Sequence, residues 1–350
     1  MNQKTDISSM TLERLTRYVT DTLGQPKFRA GQIYSWLHQK QVTSFEEMTN
    51  LSAALRGQLE EQAFITRPTV RKELRSNIDS TVKFLFQMPD GNCVESVLME
   101  YRHGLSLCVS TQVGCRMGCK FCASTLGGLV RNLTAGEMLG EVYEAQRQSG
   151  QKISTLVLMG IGEPLDNFDH VMDFLEILSS EGGQNLSLRH VSLSTCGLCD
   201  EIDRLAQKKL GLTLSVSLHA DNNETRSQIM PVNNRYTIDR LMESCKNYFA
   251  VTGRRISYEY ALIDGVNDTT EHAQGLLKLL KGQNCHVNLI PVNPVKERGT
   301  RRSSRENVER FCKLLNDRGL SATIRRELGS DISAACGQLR RQEAQSQSEA

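Results

Sequence analysis

The feature that most constrains this chain is a group of three cysteines, Cys115, Cys119 and Cys122, spaced C-x3-C-x2-C within eight residues. Three thiols this close cannot serve one disulfide, because pairing two leaves the third over. They can serve metal. A tetrahedral zinc site takes four ligands, usually from two separated C-x2-C knuckles, and no fourth cysteine or histidine stands at such a spacing. A cube of four irons and four sulfides also takes four ligands, usually cysteine. Supplying only three leaves one iron open to hold a substrate. Gly114 and Gly118 fit a loop whose backbone must wrap closely around a bulky group. Zinc, or three buried apolar cysteines with no ligand role, are the competing uses of such a triplet.

At 350 residues the chain can hold one large α/β domain plus a small appendage. Lys and Arg number 42 against 40 Asp and Glu, for a net charge of +2. Bulk charge therefore says nothing for or against nucleic acid, and any basic surface must be local. Eleven cysteines is an odd count, and the hydrophobic content is ordinary, which argues against a secreted disulfide scaffold. The opening Met1-Asn2-Gln3-Lys4-Thr5-Asp6 starts no apolar signal segment, and no run of about 18 apolar residues is present. These features read as a reduced, cytoplasmic enzyme without membrane contact.

Residues 1–70 show apolar residues at helical spacing over 12–23, 30–40 and 51–63. They read as a small helical accessory domain, with Lys27, Arg29 and Lys40 on its outside as candidate RNA contacts. From Thr81 the period changes to two, and the runs 81–88 and 93–101 flank Pro89-Asp90-Gly91-Asn92, a hairpin signal. This assigns 71–101 to a β-hairpin linker or extension. Glu95 lies on its second strand and reads, taken alone, as a solvated strand residue. Beyond it, strand-like runs at 105–111, 153–159, 190–195, 212–218, 256–263 and 286–290 alternate with amphipathic stretches. That alternation implies parallel βαβ units and an α/β fold, a partial (β/α)6 barrel occupying 102–339. Each strand run is followed at once by polar or glycine-rich residues. These are the cysteine loop, Gly160-Ile161-Gly162-Glu163-Pro164, Ser194-Thr195, Ser217-Leu218-His219, the 264–268 loop and Pro291-Val292-Asn293-Pro294. In barrels the C-terminal strand ends carry the active site. A seventh run, 321–325, leads to Cys336 among small residues, which reads as a loop bearing an exposed, reactive thiol. Residues 340–350 read as a disordered tail.

With both cysteine loops in hand, the chain resembles the RlmN/Cfr family of radical SAM (S-adenosylmethionine) RNA adenine methyltransferases. The C-x3-C-x2-C triplet with an aromatic, Phe121, before its last cysteine is the radical SAM signature. The likeness runs from Phe28-Arg29-Ala30-Gly31-Gln32 to Ala334-Ala335-Cys336-Gly337-Gln338-Leu339. Between them, Gly162-Glu163-Pro164-Leu165, Ser192-Leu193-Ser194-Thr195, Ser215-Val216-Ser217-Leu218-His219, the 226–233 segment and His286-Val287-Asn288-Leu289-Ile290-Pro291 match in order.

The resemblance implies roles by motif position. Cys115, Cys119 and Cys122 would hold a 4Fe–4S cluster, whose open iron takes the amino and carboxylate groups of S-adenosylmethionine. Gly162, Glu163, Ser194, Ser217, Leu218, His219 and Asn293 would bind the rest of that cofactor. Cys336 would accept a methyl group, Cys108 would be the second catalytic thiol, and Glu95 the proton acceptor. Two molecules of S-adenosylmethionine would be used per turnover. The substrates implied are an adenine of 23S rRNA in the peptidyl-transferase region and the adenine beside the tRNA anticodon. A flavodoxin or ferredoxin would supply electrons, and a monomer is assumed. A basic rim over Lys296, Arg298, Arg301, Arg302 and Arg305 would suit RNA. The C-x2-C pair Cys196 and Cys199 falls where the family requires no cysteine and is read as incidental. Gly-Glu-Pro-Leu is closer to the carbon-2 branch than to the Cfr branch, which modifies carbon 8 and confers antibiotic resistance. A non-catalytic iron–sulfur RNA-binding assembly factor is the reading from another class. The joint presence of Glu95, Cys108, the cluster cysteines and Cys336 argues against it.

Overall fold

Helical periodicity at the N-terminus becomes three helices clasped by a short parallel strand pair. The computed structural model describes residues 4–335 and 337–339; Cys336 and the 340–350 tail, each given a reading above, lie outside the described residues. Strand β1 (Thr5–Asp6) pairs with β2 (Ala63–Phe64), bringing the two ends of the helical segment together. Between them run α1 (Leu12–Arg17), continued by a π-helical turn over Tyr18–Thr22, α2 (Phe28–His38) and α3 (Ala53–Gln62). The Ser52 side chain caps α3 by accepting from the Leu55 N–H at 3.2 Å. The apolar stripe Leu15, Val19, Ile33, Leu37, Leu55 and Leu59 is buried.

The rest of the chain builds one open sheet. Three antiparallel strands come first, β3 (Thr69–Arg75), β4 (Val82–Gln87) and β5 (Cys93–Tyr101). Strand β6 (Gly104–Cys108) pairs antiparallel with β5 on one side. The cysteine loop follows, bracketed by a small ladder of β7 (Gln112–Gly114) and β8 (Leu129–Asn132). Then come α4 (Ala135–Ser149), β9 (Ile153–Leu158), α5 (Phe168–Ser179), β10 (Val191–Thr195), α6 (Cys199–Gln207) and β11 (Thr213–Ser217). Helices α7 (Asn223–Ile229) and α8 (Ile238–Thr252), β12 (Ile256–Leu262), α9 (Thr270–Leu279), β13 (Cys285–Pro291), α10 (Arg305–Asp317) and β14 (Ala322–Ile324) complete it. The order across the sheet is β14-β13-β12-β11-β10-β9-β6-β5-β4-β3. From β6 to β14 the pairing is parallel, so those strands end on one face and their following loops collect there. The hairpin strands belong to the same sheet. They lengthen it by antiparallel pairing, and β3, which no local pattern marks, forms its edge.

The helical segment packs on the outside of this sheet against α4 and α5. Arg14 pairs with Asp173 at 2.5 Å, and Tyr34 Oη lies 2.9 Å from Ser180 Oγ. Within the contact, His38 is fully buried with Nδ1 3.0 Å from Tyr143 Oη, while Nε2 has no partner among the described residues. Burial lowers its pKa from 6.5 to about 3. The unfolded chain takes up this proton at 6.5 and the folded chain resists it until about 3. Stability is therefore lost as pH falls through that window, by up to about 1.4 kcal/mol per pH unit from this residue. Denaturation of wild type and His38→Phe across that window is expected to show a shallower acid slope in the variant.

Candidate active site

The cysteine loop is fixed by backbone that only glycine can follow and by hydrogen bonds from outside it. Gly114 has φ +77°, and a methyl group there would overlap the Gly128 carbonyl oxygen, which accepts from the Cys115 N–H at 3.0 Å. Thr125 Oγ1 lies 3.1 Å from the Cys119 carbonyl oxygen and 2.9 Å from that of Cys122, and accepts from Arg298 Nη2 at 2.6 Å. The Lys120 N–H donates to the Ile229 carbonyl at 2.9 Å, tying the loop to the end of α7.

Cys115, Cys119 and Cys122 all line one cavity, the first two buried and the third half-buried. Burial pushes the Cys115 thiol up to about 12, partly offset by the Met117 N–H and reinforced by Glu163. Burial also raises Cys119, with Cys122 and Cys115 adding to it. Metal-free thiols here stay protonated, and bound metal is what ionises a coordinating thiol. Among the described residues, no three His, Cys, Asp or Glu side chains converge as ligands of a single ion. A cube asks for something else, because each cysteine binds a different iron. Three thiols lining one cavity fit a cluster, each taking a different iron.

The remaining wall comes from the strand ends. Gly162 has φ +113°, and a Cβ there would stand 2.7 Å from Gln112 Cβ. Glu163 is buried, with Oε1 accepting from the Leu165 N–H at 3.1 Å and Oε2 from the Cys196 N–H at 2.7 Å. Burial raises its pKa, and these donors oppose the rise. Ser194, Ser217, His219 and Asn293 line the same cavity from β10, β11 and beyond β13. His219 Nδ1 accepts from the Ala261 N–H at 2.9 Å, so Nε2 carries the ring proton. Burial, with the Arg226 charge, lowers its pKa to about 3, so it remains a neutral donor at pH 7. The Phe121 ring stands edge-on to it at 4.8 Å.

Leu218 is the exception among the expected cofactor residues. Its side chain is fully buried away from the cavity, and its backbone does the work: N–H to the Glu259 carbonyl at 3.1 Å, carbonyl to Arg226 Nε at 3.1 Å. Three residues here had been given no role. Glu259, buried on β12, lines the cavity and accepts from Asn288 Nδ2 at 2.7 Å. Its signal was a carboxylate inside an otherwise apolar strand. Arg325, just past β14, comes within 3.9 Å of it. Arg226, within the 226–233 motif, is fully buried and donates to the Cys196 carbonyl at 2.7 Å and the Ser217 carbonyl at 3.2 Å.

A second, smaller cavity adjoins the first, sharing Met159, Ile290, Asn293, Arg325 and Leu339 as walls. Cys108, at the end of β6 opposite Val97, lines it together with Ala334 and Ala335. Glu95 is not the solvated residue that its strand position suggested. It is 1% exposed, and its Oε1 lies 3.3 Å from Nζ of the equally buried Lys83. The strand's outer face is covered by the C-terminal loop, which a local reading cannot foresee. Cys196 and Cys199 are both buried thiols, raised by desolvation, and Cys199 Sγ donates to the Gly197 carbonyl at 3.6 Å. The run from Lys296 to Arg305 is not uniformly open. Arg298 turns inward to Thr125, while Arg301, Arg302 and Arg305 pair with Asp264, Glu327 and Glu309.

Gly114→Ala adds about 1–2 kcal/mol of left-handed backbone cost to a direct overlap. It is expected to lower iron per chain after anaerobic reconstitution as far as Cys119→Ala does, with helix content by circular dichroism unchanged in both.

Comparisons with known proteins agree with this geometry. Residues 5–65 match the family model "Ribosomal RNA large subunit methyltransferase N-terminal domain", and residues 109–280 match that of the radical SAM superfamily. A curated relative from Lachnoclostridium phytofermentans, named "Probable dual-specificity RNA methyltransferase RlmN", is 52% identical over 341 residues, covering 97% of this chain and 96% of its own. One of the same name from Desulforamulus reducens is 52% identical over 340 residues, covering 97% of each chain. The crystal structure of a radical SAM methyltransferase from Sphaerobacter thermophilus superposes with a TM-score of 0.91 at 42% identity, over 97% of this chain and 100% of that one. The cofactors of such enzymes are a 4Fe–4S cluster and S-adenosylmethionine, which the cavity's three spread thiols and polar strand ends fit. The chain belongs to the RlmN family of radical SAM RNA methyltransferases.

Proposed function

We propose that this enzyme methylates carbon 2 of adenine in 23S rRNA and in tRNA beside the anticodon, through a methyl group carried on Cys336. The observation that carries the reading is the pair of adjoining cavities. One is lined by the cluster cysteines and the strand-end motifs, the other by Cys108 and the Ala334-Ala335 flank of Cys336. The names of the relatives support dual specificity, and the intact Gly162-Glu163-Pro164-Leu165 segment supports carbon 2.

Carbon 2 of adenine is electron-poor and cannot attack a sulfonium methyl as ordinary methyl acceptors do. The bound cofactors supply an electrophilic methyl group and, on reductive cleavage, a 5′-deoxyadenosyl radical. The chain's own residues do the rest. Cys115, Cys119 and Cys122 hold the cluster. Gly162, Glu163, Ser194, Ser217, His219 and Asn293 orient S-adenosylmethionine, with the Leu218 backbone setting that turn. The Cys336 thiol, losing its proton, takes the methyl group. That carbon gives one hydrogen atom to the deoxyadenosyl radical and bonds to carbon 2, and the adduct returns one electron to the redox couple that supplied it. Glu95 accepts the proton from carbon 2. Cys108 Sγ, as thiolate, then attacks Cys336 Sγ: the S–S bond forms as the C–S bond breaks, the freed carbon takes a proton, and the methylated base leaves beside a disulfide for later reduction. The base must leave its stack to enter such a pocket.

Residues 1–70 are proposed as the RNA-binding accessory domain, the hairpin as an extension of the 102–339 core. Lys27 and Phe28 are exposed there, and Lys40 Nζ sits 3.3 Å above the Trp36 ring. A flavodoxin- or ferredoxin-type electron donor, a cytoplasmic location and a monomeric state complete the proposal. Among the described residues no helix is long and apolar enough to cross a membrane.

The test is anaerobic turnover on unmodified rRNA and tRNA, followed by nucleoside mass spectrometry. 2-Methyladenosine is expected from wild type and none from Cys336→Ala, while Cys108→Ala is expected to leave RNA covalently attached to the protein. 8-Methyladenosine would move the chain to the resistance branch. A loaded cluster with neither product would remove the substrate assignment.

A further inference from the structure

Outside the cofactor cavity, one ion pair among the described residues has both partners buried: Lys83 with Glu95, 3% and 1% exposed. Cα pairing sets Lys83 on β4 opposite Val97 on β5, two residues from Glu95, so both side chains stand on the face that bears Val97 and Met99. That face lines the Cys108 cavity. The Ser110 hydroxyl, at the start of the cysteine loop, donates to the Glu95 carbonyl at 2.7 Å, which fixes this end of β5 to the active-site face. Lys83 Nζ also donates to the Ser333 carbonyl at 3.3 Å. Ser333 is held in left-handed backbone, φ +51°, one residue before the Ala334-Ala335 wall of the same cavity. A single ammonium group therefore touches both the carboxylate and the loop that leads to Cys336.

We infer that Lys83 is a positioning residue for the methyl transfer to RNA: it keeps Glu95 an ionised, aimed acceptor and sets its register against the Cys336 loop. The inference rests on the assignment of Glu95 as proton acceptor proposed above. A carboxylate buried without a cation is unfavourable and neutralises itself by taking a proton. A protonated Glu95 has no capacity left for the proton on carbon 2. The loop itself does not depend on Lys83 for its place. Asp331 accepts from Ser76 Oγ at 2.7 Å, Asp79 accepts from the Gly329 N–H at 2.9 Å, and the Gly337 carbonyl accepts from the Ala123 N–H at 2.8 Å. Removing the ammonium thus takes a cation from beside the base while the segments on either side of Cys336 stay tethered.

The experiment compares Lys83→Met, similar in length but uncharged, with Lys83→Arg and Glu95→Gln, each in the full chain with a reconstituted cluster. One readout is the methyl group on the Cys336 peptide after S-adenosylmethionine is added without RNA, by mass spectrometry. The other is methylated RNA together with RNA held covalently on the protein. Lys83→Met is expected to load Cys336 to the wild-type extent, to lose about 100-fold in RNA product, as for loss of a general base, and to accumulate the covalent adduct. Lys83→Arg is expected to recover most of the product. Wild-type product formation by Lys83→Met overturns the inference. So does a parallel loss of Cys336 methylation and RNA methylation, which marks a structural strut. Wild-type turnover by Glu95→Gln sinks the base assignment itself, whereas an impaired Glu95→Gln beside an unimpaired Lys83→Met sinks only the role of Lys83.

Discussion

Parallel strands that stop together leave their last backbone groups without ladder partners, and a buried site built there must satisfy them another way. Arg226 does much of that. Its guanidinium, with no exposure to solvent, collects the carbonyls of Cys196, Ser217, Leu218 and Tyr236 and the side chain of Asn233. The ends of β10 and β11 and the segment after α7 are thereby fixed to one another. That segment in turn receives the Lys120 N–H of the cysteine loop and lies 3.4 Å from where a Gly118 Cβ would stand, at Pro231. A buried cation tied to neutral carbonyls is unusual, since burial opposes its charge and indeed lowers its pKa. A cluster bound by three thiolates would place negative charge near it and favour its charged form.

The two cavities divide the chemistry in space. The first is enclosed by strand ends and by the cysteine loop, with polar groups already committed: Nδ1 of His219 to a backbone N–H, Glu163 to two others. Committed groups do not reorganise when a cofactor arrives, which suits a radical reaction where side reactions must be excluded. The second is closed partly by the C-terminal segment, which crosses back over β4 and β5. Lys83, Asp79 and Ser76 on one side and Ala123 and Ser124 on the other hold it. The methyl carrier proposed at Cys336 would suit such a segment, whose described flanks are tethered without belonging to the sheet.

The N-terminal helical segment follows a different logic. It is stapled closed by a two-residue parallel ladder and meets the sheet's helical layer through α4 and α5. Its contact includes a buried polar pair, His38 with Tyr143, which makes the docking specific in geometry. Phe28 and Lys27 stay outside.

What the sequence determined by itself was whatever depends on neighbours along the chain. The triplet Cys115, Cys119 and Cys122, the period-two hairpin and the alternation of strands with amphipathic helices are all local patterns, and the elements appear where those patterns lie. Convergence of the cysteine loop and of Gly162, Glu163, Ser194, Ser217, His219 and Asn293 on one cavity also followed, because parallel connection brings those loops to one face, although the 264–268 loop lines a separate pocket. Tertiary structure alone decided which polar residues are buried and what they meet. Glu95 reads as solvated when taken alone, as a charge on a hairpin strand, yet a segment more than two hundred residues away covers it. Arg298 looked like part of an RNA rim, yet it turns inward to Thr125. Glu259 carries no local mark beyond a charge on a largely apolar strand, and Arg226 stands among polar residues of α7. Burial is a property of long-range packing, and a charge shows its role only when the groups that surround it in space are known.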